Sequence, residues 1–221
     1  MLLWLLENRG SVSFANLLFM IAAYAVMVLV MLPIHELAHA FAAHKMGDDT
    51  AKWNGRLSLN PMAHLDLQGT LMLVLFGVGY ARPVPINPYN FRNPRKGVAL
   101  SALAGPVSNL LMAVLSVGVF RLCVMLIPNA MVLAYLYLIL IDVFAWINIR
   151  LAVFNLLPIP PLDGSKIFGY FLPDRLVYTM ERYSRQISLL LMVLLFVGVL
   201  DRPLSFLTNL IGGAIFRLFG F

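Results

Sequence analysis

The chain has 221 residues, 61% of them hydrophobic and 12% charged, with a mean hydropathy of +0.87 and a formal net charge of +6. Soluble domains average about 45–50% apolar and about 25% charged residues, so this composition excludes an ordinary soluble globular domain and points to an integral membrane protein. No basic run or basic helix face offers a nucleic acid footprint, and the single Cys123 cannot form an internal disulfide.

Residues 1–13 have a Leu/Trp face suited to the membrane interface, with no basic n-region or small-residue cleavage site of a removable signal. A span needs about 17–25 apolar residues. The first runs over about 14–43. Residues 67–80, LQGTLMLVLFGVGY, are apolar but too short and are punctuated by glycine. In the ARPVPINPYNFRNPRKG that follows, Pro83, Pro85, Pro88 and Pro94 forbid a helix, so the pattern predicts a re-entrant segment and an extended loop. Further spans are expected over about 98–127 and 130–157, parted by Pro128-Asn129, and over 185–200 and 203–220, parted by Asp201-Arg202-Pro203. The fold class is therefore an all-α polytopic membrane protein of about five transmembrane helices, plus the re-entrant segment. A small extended or β region is expected where KWNGRLSL (52–59) alternates. Loops 45–66, 80–97 and 157–184 hold most of the Lys and Arg residues, whereas the other side has Arg9, Arg121 and Arg202. The positive-inside rule makes the crowded side cytoplasmic, as in a prokaryotic inner membrane.

At the end of the first span stands MLPIHELAHAFAAHKMG (31–47). Ionisable groups inside an apolar span are costly and usually functional. His35 and His39 are one turn apart and about 40° round the helix, so both imidazoles share a face and can bind one Zn2+. Glu36 lies beside that face, where it can deprotonate a water on the metal, which is the mechanical content of H-E-x-x-H. A catalytic zinc takes three protein ligands and keeps one open position. His44 is about 140° from His39 and faces away. Asp48 and Asp49, beyond Gly47, read as solvated loop residues. His64 and Asp66 in LNPMAHLDLQGT remain possible ligands. Asp163, in FNLLPIPPLDG (154–164), is the best candidate, because prolines at membrane depth free carbonyls that are tolerated only beside a polar cavity.

HELAH, ALAGPVSN (102–109) and FNLLPIPPLDG, in that order, resemble the site-2 protease family of intramembrane zinc metalloproteases, and GRLSLNPMAHLD and GYARPVPINPYNFRNPRKG resemble its compact bacterial and archaeal branch. The resemblance covers about residues 14–185. It implies that His35, His39 and Asp163 are zinc ligands, that Glu36 is the catalytic base, and that Asn155 helps to hold or polarise the substrate. Asn155 is the expected oxyanion donor, with His64 a second substrate-binding candidate. The implied activity is cleavage of membrane-spanning proteins in or near the cytoplasmic half of the bilayer. Three departures stand out. Leu67-Gln68 replaces a dipeptide that usually contains proline, Arg150 takes a usually apolar position, and no PDZ or CBS module is evident. The chain is expected to be one integral-membrane domain over 1–221, with a catalytic core over about 14–185 and a C-terminal helical pair over about 185–220. A metal-binding transporter or a non-catalytic membrane scaffold could also use buried histidines, but neither gains from a base beside an open metal site. A prenyl-protein type of zinc protease also uses H-E-x-x-H, but it generally takes a later glutamate as third ligand, and no suitable one follows here.

Overall fold

A computed structural model describes residues 14–76 and 81–221. The expected interfacial face of residues 1–13 and the end of the 67–80 segment lie outside the described residues. Within them the regular structure is helical and contains no strand. Three helical stretches are long and apolar enough to cross a membrane: Ile21–Lys45, Pro94–Leu126 and Ala130–Asn155. They match the first three expected spans. The chain divides into two compact units, residues 1–97 and 98–221.

In the first unit, α1 (Phe14–Val26) runs through a π-helical turn (Met27–Met31) into α2 (Leu32–Lys45). The cause of the wide turn stands just after it. Pro33 has no N–H to donate, and its ring clashes with the carbonyl four residues back, a conflict that a locally widened ladder relieves. At the other end α2 stops where Gly47 takes a φ of +105°, a conformation that glycine adopts without cost.

Three short helices follow: α3 (Thr50–Trp53), α4 (Pro61–His64) and α5 (Leu67–Phe76). Residues 52–59, expected to be extended, instead begin in the helical turn of α3. Gly55 then reverses the backbone at a φ of +68°, so the two-residue alternation never extends into a strand. The α5 helix, capped by Asp66 Oδ1 accepting from Gly69 N at 2.9 Å, has 10 residues and a length of about 15 Å. The described part of α5 is thus half the length of the roughly 30 Å hydrocarbon core. A single 3-10 turn, Pro88–Asn90, precedes α6 (Pro94–Leu126).

The second unit holds most of α6. It continues with α7 (Ala130–Leu136), a π-helical stretch (Tyr137–Ala145) and α8 (Trp146–Asn155) as one long span, followed by α9 (Asp163–Gly169), α10 (Asp174–Arg182), α11 (Ser184–Phe196) and α12 (Asp201–Leu218). Its core gathers Ala113, Val117 and Phe120 of α6 with Ile141, Ala145 and Ile149 of the third span and Ile215 of α12. The π stretch loosens the backbone ladder, and its Leu140 carbonyl accepts a hydrogen bond from Ser116 Oγ at 2.8 Å. Gly212 lets α12 lie against Trp146, whose ring would be 2.6 Å from any Cβ at that position. On the other side of α6, Leu111, Leu115, Leu122 and Leu126 are exposed, an apolar stripe at helical spacing that suits contact with lipid.

The C-terminal pair differs from the expectation of two spans. Helices α11 and α12 are bent by 83° across a short break and count at most as one broken span. With 13 residues, α11 is about 20 Å long, less than the bilayer core. The break comes earlier than Asp201-Arg202-Pro203 because Gly198, at a φ of +79°, ends α11. Asp201 then starts α12, and Pro203 falls in the first turn, where its missing N–H costs nothing.

Candidate metal centre

The wide turn delivers His35, Glu36 and His39 to the buried side of α2, and they are 4%, 9% and 6% exposed. The two imidazoles meet edge to face, with ring centroids 4.6 Å apart and planes at 87°. Their Nε2 atoms are 3.0 Å apart. Two nitrogens at about 2.0–2.1 Å from one tetrahedral ion would be roughly 3.3 Å apart, so the pair fits a shared metal with an adjustment of only a few tenths of an ångström.

Asp163 opens α9 and is 9% exposed. The loop before it, residues 156–162, folds back so closely that a Cβ at Gly164 would be 2.2 Å from the Leu157 carbonyl oxygen and 2.4 Å from that of Leu156. Glycine after the aspartate is therefore a steric requirement of this turn. Ser165 Oγ closes it by donating to the Leu162 carbonyl at 2.7 Å. His35 and His39 are thus the buried imidazoles of the first unit, and Asp163 is a buried carboxylate of the second. Two imidazoles and a carboxylate are the donor set of a catalytic zinc site with one position left open.

The other sequence candidates have different surroundings. His64 is fully buried at the end of α4, which packs on α2 and on the π turn. Its Nε2–H donates to the Ser58 carbonyl at 2.7 Å. Asp66 caps α5. His44 Nδ1 is paired with Asp49 Oδ1, away from the motif. Asn155 ends α8, and its Nδ2 donates to the Leu151 carbonyl at 3.0 Å, leaving the second hydrogen of that amide available.

Two residues gain an importance that their sequence context does not suggest. Arg56 reads as one more cytoplasmic cation, yet it is 4% exposed. Its Nη1 donates to the Ala63 carbonyl at 2.6 Å and its Nη2 to the Arg82 carbonyl, while Arg82 N donates to the His64 carbonyl at 2.8 Å. The guanidinium thus ties α4 to the extended segment after residue 80. Burial lowers its proton affinity, the Glu36 carboxylate opposes that shift, and Arg82 adds to it. Asp48, expected to be solvated, is buried. It accepts from Thr50 N and Oγ1, from Asn87 N at 2.8 Å and from Asn90 Nδ2 at 2.7 Å. Burial pushes its carboxyl up, but these hydrogen bonds outweigh it and hold the group below its ordinary value. The sequence hint was the Gly-Asp-Asp-Thr that follows α2, a pattern in which an aspartate closes a turn on its own backbone.

Comparison with known proteins decides the family. Residues 124–199 match the model of peptidase family M50. YwhC of Bacillus subtilis (strain 168), a provisionally named zinc metalloprotease, is 46% identical over 149 residues, covering 66% of this chain and 67% of YwhC. The chain belongs to peptidase family M50, the site-2 protease family. Rip2 of Mycolicibacterium smegmatis is 33% identical over 62% of this chain, and MJ0611 of Methanocaldococcus jannaschii is 31% identical over 62%. Both carry the same provisional zinc metalloprotease name. This chain spans 52% of Rip2 and 63% of MJ0611. No solved structure matches.

Proposed function

We propose that this chain, a zinc metalloprotease of family M50, is an intramembrane endopeptidase that hydrolyses membrane-spanning proteins in or near the cytoplasmic half of the bilayer. The observation that carries the reading is the turn of α2 with two Nε2 atoms 3.0 Å apart and a buried glutamate beside them, on a helix long enough to cross a membrane. In this reading His35, His39 and Asp163 hold one Zn2+. When bound, zinc supplies Lewis acidity, which polarises a carbonyl and acidifies water.

The remaining work falls to side chains of this protein. A Glu36 carboxylate oxygen accepts a proton from the attacking water and passes it to the departing amide nitrogen. Burial of the site limits bulk water, which strengthens each electrostatic contact there. The free N–H of the Asn155 amide is suited to the oxygen that gains charge during attack. His64 is positioned to act through the loop over α2, because its Nε2–H is already committed to Ser58.

The cationic loops 45–66, 80–97 and 157–184 support a cytoplasmic placement. With α11 and α12 taken together as one broken span, the spans number four.

The deciding experiment is co-expression with candidate single-span substrates, comparing the native chain with Glu36→Gln. Loss of cleavage with zinc still bound supports the reading. Near-native cleavage refutes it, and net metal movement across the bilayer without any cleavage would favour a transporter.

A further inference from the structure

Asp142 is an ionisable residue that the proposed chemistry does not use. It stands near the middle of the Ala130–Asn155 span, inside the π-helical stretch Tyr137–Ala145. Its neighbours Ile141 and Val143 are buried, while Tyr135, Leu138 and Ile139 on the adjoining stripe are exposed. Asp142 is therefore at the edge between the packed face and the outer face of the helix, and it is partly exposed. Among the described residues it makes no hydrogen bond or ion pair. A carboxyl group at mid-bilayer depth is costly without a donor, and such residues usually mark a site of function. The wide π turn also re-aims side chains, and such turns are frequent where function needs it. On the same helix, Arg150 is exposed roughly 12 Å further along, so one outer face carries both an acid and a base within an otherwise apolar span.

We infer that Asp142 is a mid-bilayer docking point for the transmembrane helix of another protein, one that presents a hydrogen-bond donor such as Asn, Ser, Thr or Lys at that depth. The stripe Tyr135, Leu138 and Ile139 supplies the apolar contact. The carboxyl supplies the directional one, because hydrocarbon offers it no other partner. Hydrogen bonds between helices in membranes give modest but measurable gains. The inference does not depend on the catalytic reading.

The test uses the full chain in phosphatidylcholine vesicles and two synthetic leucine-rich transmembrane peptides, one with a single central asparagine and one all leucine, each carrying a dansyl acceptor. With Trp4 and Trp53 replaced by phenylalanine, energy transfer from Trp146, one turn from Asp142, reports association. The asparagine peptide should bind the native chain roughly threefold to twentyfold more tightly than the leucine peptide. Asp142→Asn, which keeps a hydrogen-bonding side chain, should preserve that preference, and Asp142→Leu should abolish it. Equal binding of the two peptides to the native chain overturns the proposal even if the leucine variant misfolds. A preference that survives Asp142→Leu also overturns it. Self-association of the labelled native chain that disappears in Asp142→Leu would overturn the assignment to another protein and give the face to a second copy.

Discussion

Glutamine at position 36 keeps the size of glutamate and an oxygen able to accept a hydrogen bond, but it cannot accept a proton at neutral pH. Glu36→Gln should therefore bind about as much zinc as the native chain while losing roughly 10²–10⁴ in cleavage rate, read by metal analysis and by the accumulation of uncut substrate. His35→Ala and Asp163→Ala should instead lower the zinc content from about one per chain. Unchanged zinc in Asp163→Ala would move the third ligand elsewhere. Asp48 gives a pH-dependent test. Its carboxyl is held below the ordinary value when folded, so its stabilisation is complete above about pH 4 and is lost as the pH falls through the lower folded value. The protection of residues 48–50 and 87–90 from hydrogen exchange, relative to the intrinsic rate at each pH, should fall with acid in the native chain. In Asp48→Asn that protection should already be low at pH 7 and should lack the acid step.

The elements around the candidate site are held by a few tight contacts. Gly164→Ala would drive a methyl group into the Leu156 and Leu157 carbonyls, and overpacking of this kind typically costs about 1–3 kcal/mol. The start of α9 must then shift, so zinc content and thermal stability should fall together. Retention of both would show that the loop can relax. Arg56→Met would leave two carbonyls without their charged donor, each such hydrogen bond being worth about 1.5–3 kcal/mol. The loop over α2 should become sensitive to protease between residues 56 and 66. Arg56→Lys should recover little, because a lysine cannot span two carbonyls with a planar fork. This contact was not legible in the sequence. The Arg56 acceptors are 7 and 26 residues away, and a hydropathy pattern treats every arginine as a surface group. HELAH was legible because an i,i+4 pair on a helix specifies its own geometry. KWNGRLSL misled because four residues of alternation are weak support for a strand, and Gly55 turns the chain before a ladder can form.

For the molecule as a whole, topology is the testable matter. With Cys123 replaced by serine, a cysteine introduced at Lys52 or Arg175 should resist an impermeant thiol reagent in intact cells and react after lysis. Labelling from outside would reverse the orientation and the side on which products leave. The three long spans could be read from hydropathy because each is a continuous apolar run of membrane length. The bent C-terminal pair could not. Hydropathy averages over a window and does not see that Gly198 reverses the chain, and both halves remain equally apolar. The separator Asp-Arg-Pro looked like a loop by composition, yet its first position begins a helix.

The turn at Met27–Met31 takes in more backbone than an ordinary helical turn, and its consequence is one of phase. Upstream, Leu18, Ile21 and Ala25 are exposed in a stripe that suits lipid, while downstream His35 and His39 face inward. Each residue advances a helix by about 100°. Deleting a single residue such as Val28 would therefore not merely shorten the span. It would swing the lipid-facing stripe about a quarter turn against the histidines, so that either the anchor or the metal-binding face would have to point the wrong way. The joint sets the rotation of the membrane anchor separately from that of the histidine face.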